Sequence, residues 1–292
     1  MPVATFIMSL ENLDVDAVEA ALFALGAQSV TLLSEDDEEI LEPLPGQTPL
    51  WNRTRLSAVF EDDVDREELC AHLRKALATE TLPANELRRL EDKVWEREWL
   101  RYFGPMRFGK RLWVSPRGQR KNRSGEVTVW LDPGLAFGTG THPTTALCLE
   151  WLESQDLGGQ IVVDYGCGSG ILAIAALKLG ARYGFAIDID PQALAATREN
   201  AVRNAVAARL ITTPAPGPAD VKCDILLANI LAGTLEELAD TIARLTNTGG
   251  SAILSGILEN QVNEVAAAYA DDFVVVGSET RDGWAALVCR RR

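Results

Sequence analysis

Histidine is nearly absent from this sequence, with two residues in 292. Neither has a partner at ligand spacing, and no C-x-x-C pair occurs, so no zinc or other catalytic metal site is expected. The five cysteines (Cys70, Cys148, Cys167, Cys223, Cys289) are odd in number and scattered, which argues against a disulfide framework and for reduced thiols in the cytosol. Long apolar runs are missing as well. The amino end, MPVATFIMSLENLDVD, has no basic segment before an apolar stretch, and no segment approaches the ~20 apolar residues that span a bilayer. Secretion and membrane insertion are therefore not expected, and the protein is expected in the cytoplasm. Basic charge is also short. A formal net charge of -14 argues against indiscriminate nucleic-acid binding and favours encounter with basic partners.

What is present is a chain long enough for a sizeable core, with 47% hydrophobic residues over a length that suggests two domains at roughly 100 to 200 residues each. The charge is unevenly spread. Residues 1–100 hold 22 acidic against 9 basic side chains, whereas residues 101–123 hold eight basic ones (Arg101 to Arg123) and no acid. Unlike segments therefore meet here, and the boundary is placed near residue 90.

The first segment reads β-α-β-β-α. VATFIMSL alternates as a strand, Val15, Val18, Ala21, Leu22 and Leu25 recur at helical spacing before Gly26, SVTLLS and RLSAVFE read as strands, and DREELCAHLRKAL lines Leu69, Leu73 and Leu77 on one helical face. A closing strand at ELRRLE completes a ferredoxin-like α+β unit over residues 1–90. Residues 91–130 read as a linker, with a helix whose aromatic face carries Trp95 and Trp99, and then two strands, RLWVS and EVTVWL, bracketing a basic loop. Residues 131–292 read as the second domain, in which strands and helices alternate regularly from residue 144, with TLEELADTIARL as one helix and SAILSG as a strand. That order implies right-handed crossovers and a doubly wound, mostly parallel α/β sheet of the Rossmann-like kind, closed by an antiparallel hairpin of FVVVGS and WAALVCR.

The chemistry concentrates at three strand ends of that region. IVVDY runs into Gly166-Cys167-Gly168-Ser169-Gly170 and then a helix, so the backbone bends sharply where a ligand can approach. A P-loop would need a following lysine, and a dinucleotide turn would read G-x-G-x-x-G. Here the turn is G-x-G-x-G, preceded by Asp164, an acid poorly suited to pyrophosphate and well suited to a cationic ligand. The next strand ends in Asp188, which can accept hydrogen bonds from two ribose hydroxyls. DILLAN delivers Asn229 to the same edge, where its amide oxygen can accept from an amine and orient the nitrogen lone pair toward an electrophile. Upstream, LDPGLAFGTGTHPTT offers the hydroxyls of Thr139, Thr141, Thr144 and Thr145 on a loop able to fold over a nucleotide. His142 in that loop reads as support more than as a base, and His72 reads as structural.

Together LDPGLAFGTGTHPTT, VVDYGCGSGILAIAALKLGA, AIDIDPQAL and ANILAGTL closely resemble the ribosomal protein L11 methyltransferase family, over about residues 92–270, with the first 90 residues similar in layout. The resemblance implies a class I S-adenosylmethionine-dependent methyltransferase domain behind a small substrate-gripping domain, acting on lysine side chains and the α-amine of ribosomal protein L11. It implies Thr145, Gly166, Asp188 and Asn229 as contacts of S-adenosylmethionine, with Asp164, Gly168, Phe137 and Thr141 completing the expected cofactor set and Asn229 expected to be catalytic. Where other amino methyltransferases have N-P-P-[YF], this chain has Asn229-Ile230-Leu231-Ala232, without the stacking aromatic. The basic run from Arg107 to Arg123 is open to two readings, contact with ribosomal RNA or a solvated loop. The rival functions are methylation of RNA or of another protein amine, and noncatalytic binding of S-adenosylmethionine, with an NAD-dependent dehydrogenase last.

Overall fold

Alternation of Ala4, Phe6 and Met8 with Thr5 and Ile7 gives strand β1 (Val3–Ser9) one fully buried face and one half-buried face. β1 lies at the centre of a sheet with β2 (Ser29–Ser34), β3 (Thr54–Glu61) and β4 (Asn85–Leu90), in the order β2-β3-β1-β4 and antiparallel throughout. Two helices cover its buried face, α1 (Val15–Ala24) through Val18 and Leu22, and α2 (Arg66–Ala76) through Leu69 and Leu73. Each helix starts at an aspartate that accepts a hydrogen bond from the first turn: Asp14 from the Ala17 amide at 2.9 Å and Asp65 from the Glu68 amide at 3.0 Å. Full burial of Phe6, Met8 or Leu22 stabilises this layer by roughly 1.5–3 kcal/mol each. This is the ferredoxin-like unit expected from the sequence, and His72 stands on the exposed side of α2.

The structure is a computed structural model that describes residues 3–36, 50–90, 104–120, 123–131, 140–218 and 221–292. The chain divides into two compact units, Met1–Glu98 and Trp99–Arg292. The helix expected around Trp95 and Trp99, and most of the acidic loop between β2 and β3, lie outside the described residues.

The second unit opens with a small sheet of β5 (Met106–Phe108), β6 (Leu112–Ser115) and β7 (Val127–Trp130). The expected strand pair β6 and β7 runs parallel, while β5 pairs antiparallel with β6. The basic run that begins at Arg107 is partly neutralised by its surroundings. The Arg120 guanidinium lies 3.7 Å over the Trp113 ring and pairs with Glu126, and Arg111 pairs with Glu153.

Seven strands then form the main sheet: β8 (Ile161–Tyr165), β9 (Tyr183–Asp188), β10 (Leu210–Pro214), β11 (Cys223–Asn229), β12 (Thr246–Leu258), β13 (Phe273–Arg281) and β14 (Trp284–Arg291). Their order is β10-β9-β8-β11-β12-β14-β13, parallel from β10 to β12 and antiparallel in the last two pairings. Helices α3 (Pro143–Ser154), α4 (Ile171–Leu179) and α5 (Pro191–Arg203) pack on one face, and α6 (Ala232–Glu237), α7 (Ala239–Leu245) and α8 (Val262–Ala268) on the other. Burial on both sides explains why β8 and β11 read as unbroken apolar runs: Val162 and Leu227 enter one core, Val163, Leu226 and Ala228 the other. α4 is apolar all round because it is buried all round, apart from Lys178, whose pKa burial lowers.

Two local differences from the sequence reading stand out. The single helix expected over 234–245 breaks at Leu238, where ψ is 3° between α6 and α7. The strand expected to end at Gly256 continues to Leu258 through a β-bulge between Ser255 and Ile257. A glycine inside a strand marks a bulge as readily as a stop.

Candidate active site

The site lies at the carboxyl edge of the three central parallel strands. Tyr165 of β8 pairs with Ile187 of β9 and with Ala228 of β11, so the next residue of each strand, Gly166, Asp188 and Asn229, falls in one row. The chain leaves β8 toward β9 and β10 and returns to β11 on the opposite side. The row therefore straddles the topological switch point, where open α/β sheets leave a crevice.

The glycine turn is held from three directions. Gly166, Gly168 and Gly170 all have positive φ, at 74°, 52° and 76°. The Gly166 and Cys167 amides donate to the Ile187 carbonyl at 2.8 and 3.1 Å. From α5, the Thr197 hydroxyl donates to the Gly168 carbonyl at 3.0 Å and the Asn200 amide to the Ser169 carbonyl at 2.9 Å. No room exists for a side chain at Gly170, because a Cβ there would stand 2.7 Å from Thr197 Cγ2. α4 begins at Gly170, which has no side chain to cap it, and Asp164 takes that role by accepting from the Ala173 amide at 3.0 Å. Asp164 is 1% exposed, and burial raises its pKa to about 7 against the pull of the Ala173 amide, with the Asp188 charge adding to the rise. A buried carboxylate beside the turn favours a positively charged ligand over a phosphate.

Asp188 organises the second strand end. Its Oδ2 accepts from the Gly168 amide at 2.9 Å and its Oδ1 from the Asp190 amide at 3.0 Å, so one carboxylate ties the glycine turn to the start of α5. Asp190, the second acid of AIDID, caps α5 by accepting from the Gln192 amide at 2.8 Å. Between them Ile189 is 85% exposed. An apolar side chain standing in water beside a carboxylate offers a face for a purine ring next to an acceptor for ribose hydroxyls. The sequence reading missed Ile189, although an apolar residue between two strand-end acids was the available signal.

The structure brings Asn229 and Thr145 together across 84 residues of sequence: Asn229 Nδ2 donates to Thr145 Oγ1 at 3.1 Å. That bond turns Oδ1 to the other side, where it meets no donor among the described residues. Thr145 is only 2% exposed, so its hydroxyl serves Asn229 more directly than solvent. His142 is the N-cap of α3. Its Nδ1 lies 2.7 Å from Thr144 Oγ1 and 3.4 Å from the Thr144 amide, and its ring meets Trp284 edge-on at 4.7 Å. That agrees with a supporting role. Thr141 is exposed one residue earlier, and Phe137 lies outside the described residues.

Two buried polar residues, also missed from sequence, extend the site's frame: Asn204, which follows the last residue of α5, and Ser255 of β12. Asn204 donates to the Trp130 carbonyl at 2.7 Å and accepts from the Trp130 amide at 2.7 Å, fixing the end of β7 just before the LDPGLAFGTGTHPTT segment. Ser255, level with Asn229 on β12, places its hydroxyl 3.2 Å from the Thr144 carbonyl and 3.1 Å from that of Ala285.

A doubly wound sheet with its sixth and seventh strands closing as a hairpin, a G-x-G-x-G turn after its first strand and acids at its first and second strand ends defines a class I methyltransferase domain. The sequence model of the ribosomal protein L11 methyltransferase family (PrmA) matches residues 4–292, and the chain belongs to that family. Its relatives include the ribosomal protein L11 methyltransferases of Azotobacter vinelandii, 51% identical over 94% of both chains, and of Pasteurella multocida, 49% identical over 94% of both. The crystal structure of the ribosomal protein L11 methylase from Lactobacillus delbrueckii subsp. bulgaricus superposes with a TM-score of 0.59 at 31% identity, covering 65% of this chain and all of that one.

Proposed function

We propose that the protein methylates amino groups of ribosomal protein L11, both lysine side chains and the α-amine, with S-adenosylmethionine as donor, in the cytoplasm. The observation that carries this reading is the Asn229 carboxamide, oriented by Thr145 in the same row as Gly166 and Asp188. The donor set suits the cofactor part by part. Asp188 offers oxygens to two ribose hydroxyls, Ile189 an apolar face to adenine, and Asp164 a buried negative charge to the cationic end. Gly166, Gly168, Thr145, Thr141 and Phe137 would complete its contacts. Bound there, the cofactor supplies a methyl group on a positively charged sulfur.

The chain's own part is orientation. Asn229 Oδ1 accepts an N–H of the incoming amine and points the nitrogen lone pair along the line of displacement. A free lysine has a pKa of about 10.4 and arrives protonated, so it must be desolvated and lose a proton before attack. Among the described residues no side chain is placed as a dedicated base, since His142 caps α3 and Asp164 is buried on the Ala173 amide. In this reading the proton is lost to solvent. The acidic surplus of residues 1–100 suits recruitment of a basic ribosomal protein.

The test incubates the purified chain with S-adenosylmethionine and either free L11 or protein-stripped ribosomal RNA, and locates methyl-for-hydrogen mass increments. Increments on L11 amines support the reading. Increments on RNA alone would reassign the substrate, and none on either would leave a binding module.

A further inference from the structure

β11 runs between β8 and β12, and each neighbour presents a left-handed glycine to the residue that follows Asn229. On one side a Cβ at Gly166 (φ +74°) would stand 2.3 Å from Ile230 Cγ2. On the other, a Cβ at Gly256 (φ +84°) would stand 2.3, 2.8 and 3.0 Å from the Ile230 backbone O, C and N. The first gap is filled by a side chain that can turn away. The second is filled by main chain that cannot. Gly256 sits in the β12 bulge, and the preceding Ser255 carbonyl accepts the Ile230 amide at 3.0 Å. β12 thus grips Ile230 with one residue and makes room for it with the next.

We infer that Gly256 is a positioning residue for methyl transfer: its missing side chain lets the Ile230 main chain cross the bulge and so sets where Asn229 holds the amine. The inference rests on reading Asn229 as the amine-orienting group. Any larger residue at 256 must displace the Ile230 main chain by about 1 Å to reach ordinary contact distance, and Asn229 is bonded directly to it. A displacement of that size in a reacting geometry costs on the order of 100-fold in rate. The turn also departs from the N-P-P-[YF] pattern. Without two prolines to stiffen it, Asn229-Ile230-Leu231-Ala232 takes its shape from the glycines on either side.

Gly249 supplies the control. It lies on the same strand with φ +76°, and a Cβ there would meet nothing within 4 Å, so Gly249→Ala carries the backbone strain of Gly256→Ala without its collision. Three quantities are measured for both variants: kcat for transfer to L11, the dissociation constant for S-adenosylhomocysteine, and the Asn229 side-chain amide resonance, assigned by its disappearance in Asn229→Asp. Gly256→Ala is expected to lower kcat on the order of 100-fold, hold cofactor affinity within about threefold and shift the Asn229 resonance, while Gly249→Ala does none of these. An unchanged kcat in Gly256→Ala, or equal losses in both variants, overturns the inference. If Gly256→Ala does not fold, Ile230→Gly decides, because it loosens the main chain beside Gly256 without a collision. A roughly tenfold loss of kcat with affinity kept supports the positioning role, and an unchanged kcat overturns it. A wild-type chain that transfers no methyl to L11 defeats the proposed function instead, and the amide resonance still reports whether residue 256 sets Asn229.

Discussion

Replacing Asp188 with asparagine keeps size and shape yet should cripple cofactor binding, and the structure says why. Both carboxylate oxygens already accept backbone amides, Oδ2 from Gly168 and Oδ1 from Asp190. An asparagine has one oxygen, so in either orientation its NH2 group faces an N–H, donor against donor, and one of the two ties is broken. On the proposed reading, the same substitution also removes an acceptor for a ribose hydroxyl. Hydrogen bonds to a charged group contribute about 1.5–3 kcal/mol each, and Asp188 is half-buried, so the lower part of that range applies to both losses. The sum, about 3–4 kcal/mol, corresponds to a roughly 150- to 800-fold rise in the dissociation constant. Titration calorimetry with S-adenosylhomocysteine measures it directly, with Asp188→Ala alongside. Asparagine should be no better than alanine. Affinity within about threefold of wild type would refute the argument, because it would mean that the carboxylate is a strand-end acid without a ligand.

Thr145→Val keeps the buried shape but removes the acceptor for Asn229 Nδ2. Steady-state kinetics should show kcat falling about tenfold, near 1.4 kcal/mol, with cofactor affinity less affected, and a loss confined to affinity would make Thr145 a cofactor contact only. Asn204→Ala leaves the Trp130 amide and carbonyl without their partner and should cost about 2–4 kcal/mol in urea unfolding, whereas a cost under about 1 kcal/mol would contradict the pairing. Asp164 gives a pH dependence. Its carboxyl, raised from 3.8 to about 7 by burial, holds its proton more tightly folded than unfolded, so its contribution favours the fold below 3.8 and is lost as pH rises through about 7. Asp164→Asn lacks that loss, so its melting temperature relative to wild type should rise between about pH 5 and about pH 8, and a constant difference would mean that Asp164 does not titrate there.

Most of the fold was legible because both periodicities are strong. Buried parallel strands such as IVVDY and DILLAN read as short apolar runs, and helices announce themselves by caps such as Asp190-Pro191. The glycine turn, Asp188 and Asn229 were legible because close backbone approach and strand-end polar groups each demand particular residue types. Less visible were features whose cause lies elsewhere in the chain. Gly256 reads as a strand stop until Ile230 is seen occupying the space beside it. Asn200 and Asn204 look like ordinary polar positions on a surface helix, although they are 5% and 4% exposed and bond to main chain in Ser169 and Trp130. Asp164 was expected to face a cation, and its folded position makes it the cap of α4.

Residue order alone thus determined which segments form strands and helices, that their alternation makes a doubly wound sheet, and which residue types can serve a methyl donor, because those follow from local sterics, hydrophobic period and functional-group chemistry. The tertiary structure decided which of those residues share one row, that Thr145 turns the Asn229 carboxamide, and that β6 and β7 run parallel. Pairing register and packing join residues far apart in sequence, and no local property of either partner encodes the distance between them.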